Sequence, residues 1–94
     1  MVVRVLDHVE TASTYDDGEK IFALIRPAIE RNEVVTVSFE GLLAVPSAFI
    51  NSAFVRLLET IAPEQVRSHL RIVNSTRQIN DLLRSRIAFV TDRS

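Results

Sequence analysis

Ninety-four residues, 47% of them hydrophobic and 24% charged, make one globular domain with a single modest core, and they exclude a disordered chain. The absence of cysteine excludes disulfides, thiolate metal sites and cysteine nucleophiles, so any chemistry must come from oxygen and nitrogen groups. The net charge of −1 is unevenly spread: residues 1–60 carry five Lys/Arg against nine Asp/Glu (−4), and residues 61–94 carry six Arg against three acids (+3).

In chain order, residues 2–6 (VVRVL) are short and β-branched and predict a first strand, followed by a polar loop, ETASTYDDG. Asp16 and Glu19 form a capping-box-like pair ahead of a helix whose apolar face is Ile21, Leu24, Ile25, Ala28 and Ile29. Pro27 lies inside it and predicts a kink or break near residues 24–26, because it lacks the N–H of one helical bond. Residues 34–41, VVTVSFEG, read as a strand at the sheet centre, apolar enough for helices to cover both faces. Gly41 closes it. A second helix is expected from Ser47 to about Ile61, with Phe49, Ile50, Ala53, Phe54, Leu57, Leu58 and Ile61 as its apolar positions.

Pro63 opens a short turn, PEQVRSH, before a third strand at residues 70–73. Ser75 and Gln78 are spaced as a capping box for a last helix with apolar Ile79, Leu82, Leu83, Ile87 and Val90, although residues 86–90 also fit a strand. The alternation predicts a small α/β domain over residues 1–94: three to five mostly parallel strands flanked by about three helices. No repeat, linker or second domain is apparent. No apolar run approaches the ~20 residues that span a bilayer, and the chain reads as a soluble, unexported, cytoplasmic protein.

Two glycines, Gly18 and Gly41, are too few for a phosphate-binding loop, and His8 and His69 stand far apart without neighbouring ligands, so neither cofactor nor metal is expected. Ser47, His69 and Asp81 lack the elbow or oxyanion signature of a hydrolase. Catalysis is not predicted. The arginines Arg67, Arg71, Arg77, Arg84 and Arg86 read as a solvated helix face that could recognise phosphate or an acidic surface. Lysine is absent there and Phe89 is the one aromatic, so nucleic acid is not the expected partner.

Partners of open α/β sheets gather beyond the carboxyl ends of the strands, which here brings together Glu40, Gly41, Pro46, Ser47, Asn51, Asn74 and Ser75. Ser47 and Ser75 read most simply as helix N-caps. A phosphoryl group on Ser47 would nonetheless sit well at the positive end of its helix. Two other readings stand beside this one: a small nucleotide or anion binder using the amides near Ser47 and Ser75, and a homodimer closed by surplus apolar residues such as Phe54 or Phe89.

The run VTVSFEGLLAVPSAFINSAFVRLLE with LRIVNSTRQINDLLRSRI resembles the STAS-like family of small bacterial and archaeal proteins, over roughly residues 20–90. That family is related to the STAS domains of anti-sigma-factor antagonists and anion-transporter tails. The resemblance implies a non-enzymatic regulatory module that binds a protein, in particular a histidine-kinase-like ATPase. It aligns Gly41 with the antagonists' loop glycine and Ser47 with their phosphorylated serine. Pro46 stands where those proteins have aspartate, and Phe49 where they have glycine.

Overall fold

The computed structural model describes residues 1–91, with side chains through Ile87. Its elements are β1 (Val2–Arg4), α1 (Tyr15–Glu30), β2 (Val35–Ser38), α2 (residues 47–60), α3 (Pro63–His69), β3 (Leu70–Val73) and α4 (Arg77–Thr91). The strands are parallel, in the order β1-β2-β3, with Val3 opposite Val37 and Val37 opposite Ile72. The chain is thus a small α/β domain with β2 at the centre of a three-stranded sheet. Among the described residues no helix is long and apolar enough to cross a membrane.

A strand order that advances in one direction, joined by right-handed crossovers, lays both crossovers on the same side of the sheet. Burial agrees. Val3, Val35 and Val37 face the helices and are at most 2% exposed, while Val2, Arg4, Arg71 and Val73 look the other way and are exposed. The expectation that both faces of β2 are covered is therefore corrected: Val35, Val37 and Phe39 alternate into the core on one face, and the run looks continuous only because Val34, which is exposed, precedes them.

The core is centred on Phe39, Phe49 and Phe54, whose ring centroids lie 6.1–6.5 Å apart in tilted and edge-to-face pairs. Phe54 is wholly buried in that cluster, so it cannot close a homodimer as its surplus suggested; the Phe89 side chain lies outside the described ones. Among the described residues there are four helices, besides a 3-10 turn at Val5–Asp7, where about three were expected, because residues 63–69 form α3 with Pro63 in its first turn, a position where its missing N–H costs nothing. Residues 86–90 continue α4 and are helical.

Helix α1 runs through Pro27 without a break. Its cap is Thr14 with Asp17, not Asp16 with Glu19: the Thr14 hydroxyl accepts from the Asp17 N–H at 3.1 Å, and the Asp17 carboxylate accepts from the Ser13 and Thr14 amides at 3.0 and 3.3 Å. At the other end Asn32 takes φ +64°, and the Asn32 and Glu33 amides return to the Ile29 and Ala28 carbonyls, closing a Schellman motif.

Helix α2 is built from an α-helical turn (Ser47–Ile50), a π-helical turn (Asn51–Val55) and a second α-helical turn (Leu57–Thr60). The wide turn is closed by the Arg56 N–H on the Asn51 carbonyl at 3.2 Å. It lies against α1, where Gly18 makes the crossing possible. A Cβ on Gly18 would overlap the Ser52 hydroxyl and stand 2.6 Å from the Phe49 carbonyl oxygen. At this spot the Ser52 hydroxyl, fully buried, donates to that same carbonyl at 3.2 Å.

Gly18→Ala therefore forgoes the ~1 kcal/mol that alanine normally adds to a helix and instead costs about 2–3 kcal/mol through overpacking. The melting temperature should fall by about 10 °C or more; a melt equal to wild type would show that the two helices separate freely. A second prediction concerns pH. The Ser13 amide, chiefly, with the Thr14 hydroxyl and amide and the Lys20 charge, holds the Asp17 carboxyl below the usual carboxylate range against a smaller opposing push from burial. A lowered folded pKa means that the stabilisation is present above the ordinary value of about 3.9 and is lost as pH falls through the lower, folded one. Asp17→Asn should then melt below wild type at neutral pH, with the gap closing in acid; a gap that persists unchanged in acid would contradict the assignment.

Candidate functional site

Gly41 shapes the loop that follows β2. The Leu42 N–H returns to the Phe39 carbonyl at 2.9 Å, closing a β-turn in which Gly41 takes φ +87°, a conformation unfavourable to any side chain. Leu42 is half-buried after the turn, whereas Leu43 projects outward. The loop then runs to Pro46, whose extended backbone (φ −80°, ψ 162°) precedes the first turn of α2.

Two residues at the start of α4 hold this loop from the side. The Thr76 hydroxyl donates to the Leu43 carbonyl at 2.6 Å. The Gln78 side-chain amide meets Val45 on both backbone groups, accepting from its N–H at 3.3 Å and donating to its carbonyl at 3.4 Å, as a neighbouring strand would. One helical stretch further on, the Arg86 guanidinium donates to the Ser47 hydroxyl at 3.1 Å. Helix α4 thus grips three of the five residues between Leu43 and Ser47.

Ser47 is not an N-cap. Pro46 occupies the capping position, no side-chain cap bond is made, and the half-buried hydroxyl is held by Arg86 alone among the described residues. Ser75 is likewise displaced from its expected role: Thr76 caps α4, accepting from the Ile79 N–H at 3.4 Å, while the Ser75 hydroxyl donates to the Asn80 side-chain oxygen at 2.6 Å. Gln78, expected to complete the box with Ser75, is turned to Val45 instead. The reason is one residue of register, because the helix starts at Arg77.

The other expected positions divide into two groups. Asn74 takes φ +55° and donates to the Ser38 hydroxyl at 3.0 Å, and the Glu40 N–H donates to the same oxygen at 3.3 Å. The Glu40 carboxylate pairs with Arg4 at 3.2 Å, tying the end of β2 to β1. Glu40, Gly41 and Asn74 therefore sit together around Ser38. Pro46, Ser47 and Asn51 form a second group at the start of α2, and α4 connects the two through Thr76, Gln78 and Arg86. A broad cleft of about 640 Å³ opens beside the loop after β1, lined by Asp7, His8, Glu10, Asp17 and Lys20 among others, none of which the sequence pattern singled out. Among the described residues no group of His, Asp or Glu is placed to hold a metal.

The family model for the STAS-like domain of unknown function (DUF4325) matches residues 17–80. This chain belongs to that family. Comparison with curated proteins and with solved structures finds no match. The matched stretch of this STAS-like chain holds β2, the whole of α2, β3 and the Thr76 and Gln78 grip, whereas Arg86 lies beyond its end.

The Gln78 grip is directly testable. Gln78→Ala leaves the nearly buried Val45 amide without its partner, and each lost hydrogen bond costs about 0.5–1.5 kcal/mol. Amide exchange at Val45 should accelerate selectively while the Val35 and Val37 amides in the sheet keep their protection; unchanged exchange at Val45 would mean that the loop holds itself.

Proposed function

We propose that this STAS-like chain is a non-enzymatic regulatory module that docks a protein through the loop of residues 40–47 and the start of α2, and that the charge state of Ser47 sets the strength of docking. The observation that supports this most is the release of the Ser47 hydroxyl from any capping duty, with an arginine as its partner. A capping serine is needed by its helix, and modification would remove an interaction worth about 1 kcal/mol. Ser47 carries no such obligation. It sits in the first turn of α2, where added negative charge is favourable, and Arg86 supplies a fork of donors suited to phosphate oxygens.

The kind of partner that fits is a histidine-kinase-like ATPase. In the forward step the Ser47 Oγ attacks the γ-phosphorus of ATP, the bond from that phosphorus to the bridging oxygen breaks, ADP leaves, and the hydroxyl proton passes to solvent or to a base on the partner. The product carries about −1.5 to −2 of new charge at neutral pH. Pro46 and Asn51 stand with it at the start of α2, Glu40, Gly41, Asn74 and Ser75 extend the docking surface from the Ser38 side, and Arg86 draws the phosphoryl group towards α4.

The test is to seek a histidine-kinase-like ATPase in the reading frames neighbouring this one and to titrate it, purified, with wild type, Ser47→Ala and Ser47→Asp. Ser47→Ala should bind within about threefold of wild type, and Ser47→Asp at least tenfold more weakly, a loss of about 1.4 kcal/mol. Circular dichroism should be unchanged for both. Wild-type affinity in Ser47→Asp removes Ser47 as the switch, and failure of the wild type to bind removes the ATPase as the partner.

A further inference from the structure

Among the described residues Arg4, Arg26, Arg31, Arg56 and Arg77 each pair with a carboxylate, and Arg86 does not. Its guanidinium meets a neutral group instead, the Ser47 hydroxyl, to which one Nη donates at 3.1 Å. An arginine carries several N–H donors in a planar fork, and a single bond to a hydroxyl uses one of them and leaves the charge unanswered. That charge stands at the one atom that the proposed modification would alter.

Both partners are set in place by the fold. Arg86 stands on α4, which is seated by the buried Ile79 and Leu83 and tied to the loop before Ser47 by Thr76 on Leu43 and Gln78 on Val45. Ser47 follows Pro46, and its neighbours Val45, Phe49 and Ile50 are buried. The surroundings suit an anion. No Asp or Glu lies between Glu40 and Glu59 in the sequence, the Glu40 carboxylate is taken by Arg4, and Asp81 on α4 pairs with Arg77.

In the unmodified chain the Ser47 oxygen accepts from Arg86, and a lone pair engaged in this way makes the hydroxyl a poorer nucleophile, so the contact must loosen while the phosphoryl group arrives. After transfer the preference reverses. The phosphorus is bonded to Oγ, and rotation about the Cβ–Oγ bond carries its non-bridging oxygens over the same guanidinium, where parallel N–H groups can meet them in a charge-assisted fork. A bond between an ion and a neutral hydroxyl is exchanged for one between opposite charges. We infer that Arg86 is the chain's own latch for phosphorylated Ser47: it captures the phosphoryl group within the same molecule, ties the start of α2 to α4, and shields the ester from hydrolysis. The inference rests on the reading of Ser47 as the modified residue, and it adds that this chain, as well as its partner, reads the mark.

The test uses the full chain made with phosphoserine at position 47, carrying Arg86, Arg86→Lys or Arg86→Gln, and needs no partner. Phosphorus NMR follows the second ionisation of the phosphoryl group, ordinarily at about 6. A cation beside it favours the dianion, so the ionisation should fall lower in the Arg86 chain than in Arg86→Gln by about half a unit or more, with Arg86→Lys, which keeps the charge without the fork, between them. In a second measurement a non-specific phosphatase removes the group: water attacks phosphorus, inorganic phosphate leaves and the serine hydroxyl returns. Release should be about threefold faster from Arg86→Gln than from the Arg86 chain. Arg86 is exposed, so the unmodified variants should melt as wild type does; were Arg86→Gln to melt lower, Arg86→Lys carries the comparison. Equal ionisation in the Arg86 and Arg86→Gln chains overturns the inference, as does release from Arg86→Gln that is no faster. Either result leaves the titration with the ATPase standing, and a failed titration leaves the latch as it was.

Discussion

The constraint on which the rest depends is that the winding of this sheet never reverses. With the strands in the order β1-β2-β3, all parallel, both crossovers fall on one face, and the helices form a single layer. Doubly wound sheets reverse their strand order once, and the crevice at the reversal is where small ligands usually bind. No such crevice can form here. What the carboxyl end of the sheet offers instead is a set of loops standing side by side, with the broad cleft opening beside the first of them.

A single helix layer must supply the whole core from one side, and this explains the packing of α1 against α2. The two helices approach closely enough for the absence of a Cβ on Gly18 to matter, and the π-helical turn widens α2 where they meet so that Ser52, Ala53 and Phe54, three consecutive residues, are all buried. A regular helix would turn one of three such neighbours outward. The same rigid layer gives α4 a firm seat: Ile79 and Leu83 are buried against it, and from there Thr76, Gln78 and Arg86 reach the β2–α2 loop. The loop is fixed by side chains belonging to a helix more than thirty residues away in sequence.

Much of the fold was legible in the sequence because it rests on local periodicity. The third strand, the apolar faces of α1, α2 and α4, and the central place of β2 all follow from the spacing of Val, Ile, Leu and Phe. The capping errors share one physical origin, which is register near helix ends. Threonine and serine lie adjacent before both α1 and α4, several [Ser/Thr]-x-x-[acid/amide] frames compete, and which hydroxyl caps is decided by where tertiary packing starts the helix. Gly18 did carry a readable signal, since a glycine inside a helical pattern costs about 1 kcal/mol and usually marks a close approach. The single-sided sheet was readable too, from the polar Arg4, Thr36, Ser38 and Arg71 at alternate positions of the strands. Arg86 on Ser47 and Gln78 on Val45 were not, because nothing in local pattern pairs residues so far apart along the chain.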